Sequence, residues 1–71
     1  MDPQAAWEQL QEAYGNADWE SARELAQALL DWLDRGGFPP TTQVGQSADL
    51  AEQRTRTYEF CRSVLQRAAD L

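Results

Sequence analysis

Apolar residues recur every three or four positions along most of this sequence, which is the spacing of a helix that buries one face. No segment alternates apolar and polar residues as a half-buried strand does, isoleucine is absent, and the two valines stand apart. The longest apolar stripe consists of Trp19, Ala22, Leu25, Ala26, Leu29, Trp32 and Leu33. The pattern predicts an all-α protein.

Two helices are predicted in the first half of the chain, over about 3–14 and 19–35. Asp2 precedes a proline and can accept hydrogen bonds from the free amides that begin the first helix. The Gly15-Asn16 pair is expected to supply the left-handed residue that ends it, and Asp18 is expected to cap the second helix. Together the two helices form an antiparallel hairpin.

A loop follows from Gly36 to Gln46, because helical periodicity fails in this stretch of glycine, proline and threonine. Gly36-Gly37 is expected to end the second helix rather than to bind phosphate, since the C-terminal end of a helix dipole repels anions. Ser47 is expected to cap a third helix over about 48–70. Its apolar stripe consists of Leu50, Thr57, Tyr58, Cys61, Val64, Leu65 and Ala68.

One small domain, residues 1–71, is expected, because a chain of this length buries only about 60% of its unfolded surface and cannot support two cores. The second helix carries further apolar residues beside its main stripe, Ala28 and Leu30 among them. We therefore expect it to be the central helix, in contact with both others.

Composition excludes several classes of function. Six arginines, no lysine and twelve acidic residues give a formal net charge of -6, which disfavours nucleic acid and anionic membranes as partners. No segment approaches the roughly 20 apolar residues of a membrane span, and the N-terminus lacks the pattern of a signal peptide. A single cysteine cannot form an intramolecular disulfide, so we expect a cytoplasmic protein.

The first two helices carry a pattern that resembles the helical hairpin of a tetratricopeptide repeat (TPR), over residues 5–33. The matching residues are Ala6-Trp7-x-x-Leu10, Ala13-Tyr14, Asp18-Trp19-x-x-Ala22 and Leu29-Leu30. Gln11 stands where the repeat has glycine, and the third helix does not repeat the pattern, which leaves it as a capping helix over one hairpin. The resemblance implies a protein-interaction module.

The run from Leu29 to Pro40 is similar to a segment of small uncharacterised bacterial proteins. This second resemblance implies a bacterial origin and carries no activity with it.

Groups that could support catalysis or bind a metal are few, because histidine and lysine are absent. Three acid pairs are spaced one helical turn apart on the outward sides of their helices, where solvation is the expectation: Glu8/Glu12, Glu20/Glu24 and Asp31/Asp34. Cys61 lies within the stripe of the third helix and is expected to pack in the core. We predict no enzyme activity, no cofactor and no metal.

Arg54 is the one charged residue that the third helix directs inward. One interpretation is structural: its stem packs while its guanidinium reaches an acid of the second helix or stacks on an indole. The other is functional, with Arg54 as a carboxylate-binding cation at the mouth of a groove between helices.

Aromatic residues and prolines near the loop are candidates for partner contact. Trp32 or Phe38 is expected to be an exposed anchor, although both could instead close the core under the loop. Pro39-Pro40 fits either a helix stop or a segment presented to a partner. The full predicted partner-binding set is Trp32, Phe38, Pro39, Pro40, Arg54 and Phe60.

Two functions are consistent with these residues. The first is a protein-interaction module of TPR-like helical type that uses apolar surface on helices two and three and associates with itself as a weak homodimer. The second is an acidic accessory or inhibitor protein that binds a basic partner through its carboxylate faces. The sequence names no partner for either.

Overall fold

The computed structural model of the protein describes residues 2–40 and 50–70. This part of the chain folds into three helices and contains no strand, which confirms the all-α prediction. The helices are α1 (Pro3–Gly15), α2 (Trp19–Asp34) and α3 (Leu50–Ala69). Their ends lie within a residue of the predicted ends wherever both can be compared. The predicted cap Ser47 lies outside the described residues.

Aspartates begin the first two helices, as predicted. The Asp2 carboxylate accepts hydrogen bonds from the amides of Gln4 (3.1 Å) and Ala5 (3.3 Å). The Asp18 carboxylate accepts one from the amide of Ser21 (3.3 Å). Each cap satisfies amides that have no partner within the helix, which is why both boundaries could be predicted locally.

The C-terminal end of α2 is a Schellman turn. Gly36 takes a left-handed conformation with φ of 85°, and its amide donates to the carbonyl of Leu33 (3.0 Å). The Gly37 amide donates to the carbonyl of Trp32 (2.9 Å). Two otherwise free carbonyls are thereby satisfied, and the prediction that this glycine pair ends the helix is confirmed.

The end of α1 has the same hydrogen bonds but not the predicted left-handed residue. The Ala17 amide donates to the carbonyl of Tyr14 (3.1 Å) and the Asp18 amide to that of Ala13 (2.9 Å). The left-handed residue is Ala17, with φ of 56°. The prediction for Gly15-Asn16 was wrong because α1 continues through Gly15, and the turn then places alanine where glycine is usual.

Replacing Ala17 by glycine should therefore stabilise the protein. A Cβ in the left-handed region costs about 1–2 kcal/mol, and glycine removes this cost. Part of the gain is lost again, because glycine also makes the unfolded chain more flexible. We expect Ala17→Gly to raise the free energy of unfolding by about 0.5–1 kcal/mol in urea. Gly36→Ala is the matched control and should lower it by about 1 kcal/mol. Loss of stability in Ala17→Gly would contradict the assigned turn.

The core lies on both sides of α2, which packs against α1 and α3 and is the central helix, as predicted. Leu10 of α1, Leu29 and Leu33 of α2, and Cys61 and Val64 of α3 are fully buried. All of them except Leu33 belong to one hydrophobic cluster, which joins the three helices.

Helix α3 differs from its predicted stripe at its first turn. Leu50 was expected to face the core, but its side chain is 58% exposed. Thr57 is the buried polar residue of α3, and its hydroxyl donates to the carbonyl of Gln53 (2.9 Å). The helix therefore joins the core only from its second turn onward.

Aromatic side chains connect α1 directly to α3. The Phe60 ring lies 5.2 Å from that of Trp7 and 5.4 Å from that of Tyr14, which in turn lies 5.3 Å from Trp19. The Arg67 guanidinium lies 5.4 Å from the centroid of the Trp19 ring. Phe60 belongs to the predicted partner-binding set, but it is half-buried because rings of α1 pack against it.

Candidate functional site: a groove between the first two helices

Charge is divided unevenly between the hairpin and the last helix. Residues 2–34 contain eight carboxylates and one arginine, Arg23. Helix α3 contains four arginines and two glutamates. The hairpin is therefore the strongly acidic part of the molecule, and a surface on it will attract cations.

An acidic groove of about 440 Å³ lies between α1 and α2. Glu12, Asp18 and Glu24 provide its charge, and no ion pair with an arginine of the described segments neutralises them. The ion pair within those segments joins Arg56 to Glu52 on α3 (2.6 Å). The groove is lined by Gln9, Glu12, Ala13, Asn16, Asp18, Ser21, Glu24 and Leu25.

Sequence analysis missed this groove because its carboxylates come from different helices. Glu12 and Glu24 belong to two different predicted acid pairs. Each pair was expected to be solvated on the outward side of its own helix. The hairpin brings one member of each pair to the same groove. Spacing within one helix carries no signal for that juxtaposition, since it depends on how α1 lies against α2.

An aromatic site lies at the other end of α2. The Trp32 indole nitrogen donates to the carbonyl of Phe38 (2.7 Å), and the Phe38 side chain is 72% exposed. Gly37 lies so close to the indole that a Cβ there would overlap it. With Arg35 and Gly36, these residues line an open space of about 490 Å³. Of the two predicted anchors, Phe38 is thus the exposed one, whereas Trp32 is half-buried.

The prolines after Phe38 are less available than the aromatic pair. Pro40 is fully buried and Pro39 is half-buried. The hypothesis that Pro40 is presented to a partner is therefore wrong, because its ring packs inside the protein. The structure brings Trp32 and Phe38 to one site, while Phe60 lies against the rings of Trp7 and Tyr14.

Arg54 has a different partner from those predicted. Its guanidinium donates to the carbonyl of Leu33 at the end of α2 (2.9 Å), and the residue remains largely exposed. The Arg35 side chain similarly donates to the carbonyl of Asp31 (3.3 Å). A cation near the last carbonyls of a helix stabilises them and opposes the dipole. Among the described residues no acid or indole holds Arg54; its guanidinium instead shares the Leu33 carbonyl with the Gly36 amide.

The groove around Arg54 is lined by both acidic and basic side chains, so its charge favours neither an anionic nor a cationic ligand. It measures about 490 Å³ and lies between the end of α2 and one side of α3. Its lining consists of Asp34, Arg54, Thr55, Tyr58, Glu59 and Arg62. The carboxylate-binding role of Arg54 stays a prediction.

Cys61 is placed for packing rather than for nucleophilic chemistry. Its side chain is fully buried, and desolvation raises the pKa of the thiol to about 12. A thiol with this pKa is protonated at neutral pH, and the thiolate is the reactive form.

The same pKa predicts a loss of stability at high pH. Burial favours the protonated thiol over the thiolate. The contribution of the thiol to the free energy of unfolding is therefore complete below the unfolded pKa near 9, and it is lost as pH rises towards 12. We expect the slope to reach at most about 1.4 kcal/mol per pH unit. Urea unfolding between pH 8 and 11 should show this loss in the wild type and a smaller one in Cys61→Ala. Parallel pH profiles would contradict the assignment.

Two further observations bear on the class of site. Residues 2–40 and 50–70 contain no group of three or more His, Cys, Asp or Glu side chains arranged to hold a metal ion. Within the same residues, no helix has both the length and the apolar character that crossing a bilayer requires.

The fold and groove thus define a small three-helix protein with an acidic cleft on its hairpin. Comparison with protein families, curated proteins and solved structures finds no match to this chain.

Proposed function

We propose that this chain is a small protein-interaction module that binds a basic partner through the groove between α1 and α2. One observation carries the proposal: the hairpin concentrates carboxylates, and those in the groove have no arginine partner in the part of the chain described. An exposed set of like charges raises the local concentration of opposite charge and accelerates association. Nucleic acid does not fit this surface, because phosphates would be repelled.

In this proposal α1 and α2 form a TPR-like helical hairpin. Leu10, Ala22 and Leu29, which carry part of that resemblance, are buried between the helices. Trp7 and Trp19 pack against the same core. Helix α3 packs on α2, and the acidic groove lies between the two helices of the hairpin.

No catalytic step is part of this function. The buried thiol contributes to core packing, and the exposed carboxylates contribute negative charge. We place the protein in the cytoplasm, where a single thiol remains reduced.

A pair of variants with equal net charge tests the proposal. Glu12→Gln/Glu24→Gln removes two carboxylates from the groove, whereas Glu8→Gln/Glu20→Gln removes two outside its lining. Each protein is used to capture partners from a lysate of its native host, followed by mass spectrometry. We expect the wild type and the outer variant to retain basic proteins, and the groove variant to lose them. Retention by all three, or capture of acidic proteins, would overturn the proposal.

The exposed ring of Phe38 favours a second candidate, weak self-association. Self-association was predicted to use apolar surface on helices two and three, but four large apolar side chains of these helices are buried or half-buried, so Phe38 is the better anchor; they are Trp19, Leu30, Trp32 and Phe60. Sedimentation equilibrium at low and high salt measures it. Salt should favour the dimer by screening the net charge of -6, and Phe38→Ser should abolish it. A monomeric mass at all concentrations would exclude this candidate.

A further inference from the structure

One side of α2 carries a row of half-buried side chains that joins the acidic groove to the aromatic site. Ser21, Leu25, Ala28 and Trp32 follow one another at helical spacing on this side, and all are half-buried. Ser21 and Leu25 line the acidic groove with α1, whereas Trp19 lines a groove with Ala68 of α3 on the opposite side. We call this half-buried side of α2 the open strip; it runs from the acidic groove at Ser21 to the aromatic site at Trp32.

The two ends of this strip have different chemistry. At the beginning of α2, Glu12, Asp18 and Glu24 make the groove acidic. At the end, Trp32 and Phe38 make it aromatic. Trp32 follows Ser21 by eleven positions, which corresponds to about 16 Å along the helix axis.

We propose that the open strip recognises a partner segment with cationic residues at one end and a large apolar side chain about 16 Å away. The inference rests on the proposed function and specifies the partner: a basic amphipathic segment, laid along α2. Its arginines or lysines lie over the acidic groove, and its apolar side chain packs on Phe38 and Trp32.

The aromatic end is suited to an apolar side chain because Phe38 is held in place before any partner arrives. The hydrogen bond from Trp32 to the Phe38 carbonyl (2.7 Å) fixes the backbone that carries the ring. The ring itself remains 72% exposed. An anchor fixed in this way loses little conformational freedom on binding. The acidic end supplies attraction, and the spacing between the two ends supplies specificity.

Two synthetic peptides of identical composition test this inference. Both are helical, about eighteen residues long, free of tryptophan, and contain arginines and two leucines in an alanine and glutamine background. In the segregated peptide the leucines lie about 16 Å from the arginines. In the mixed peptide the leucines lie among them. Net charge and hydrophobicity are thereby constant, and only the spacing changes.

Calorimetry should show that the segregated peptide binds the wild-type protein at least about tenfold more tightly than the mixed one. Phe38→Ser should lower the affinity for the segregated peptide to that for the mixed peptide. The affinity for the mixed peptide should not change. Because Phe38 is exposed, this variant should remain folded, which circular dichroism checks. A spin label beside the leucines should broaden the NMR signal of the Trp32 indole and spare the Ser21 amide.

Other outcomes separate this inference from the proposed function. Equal affinity of the two peptides, with both weakened by Glu12→Gln/Glu24→Gln, would overturn two-ended recognition and leave binding of a basic partner intact. Broadening of Ser21 rather than Trp32 would also overturn it. Absence of binding by either peptide at low salt would overturn both.

Discussion

Leu29→Ala is expected to lower the free energy of unfolding by about 2–5 kcal/mol. Leu29 is fully buried in the central helix, where it belongs to the core shared by α1 and α3. Truncation removes buried apolar surface and leaves a cavity between the helices. The cavity persists because the surrounding helices relax only partially around it. A chain of this size has a total stability of roughly 4–10 kcal/mol, so this one change removes a large part of it.

Urea denaturation followed by circular dichroism measures this loss. Leu50→Ala is the matched control, because it removes the same atoms from a side chain that is 58% exposed, and it should change stability by less than about 0.5 kcal/mol. If Leu29→Ala is already unfolded, the volume-conserving Leu29→Met should fold, at a cost below about 1.5 kcal/mol. Similar losses at Leu29 and Leu50 would show that the assigned core is wrong.

Gly37→Ala should destabilise the protein by about 1–3 kcal/mol, which is the cost of overpacking. A Cβ at this position would overlap the Trp32 indole. The ring cannot move aside freely, because its nitrogen donates to the Phe38 carbonyl. The substitution therefore forces either the ring or the turn out of place, and the aromatic end of the open strip is lost with it.

The glycine at the end of α1 provides the control. Nothing lies near a Cβ built on Gly15, which is helical, so Gly15→Ala should stabilise the protein by about 0.5–1 kcal/mol. Trp32→Leu combined with Gly37→Ala should recover part of the loss, since the smaller side chain makes room. A double-mutant cycle by urea unfolding measures the coupling. Additive effects would exclude the proposed contact.

The helices and their order could be predicted because their determinants are local. Asp2 and Asp18 cap helices with their own side chains, and Gly36 ends one by adopting a conformation that other residues avoid. Apolar spacing likewise marks α2 as the helix with two faces to bury. None of these features depends on a distant residue.

Tertiary structure decided the rest, because each remaining feature depends on how helices meet. Phe60 is covered since α1 brings rings against it, and Arg54 bonds to a carbonyl that only the approach of α3 to α2 provides. Pro40 is buried despite lying in a predicted loop. The acidic groove exists because the hairpin places carboxylates of two helices side by side. By itself the sequence determined three helices, the aspartate caps of the first two and an acidic charge, since these follow from neighbours along the chain. Packing decided which side chains are buried and which stay exposed, since that follows from neighbours in space.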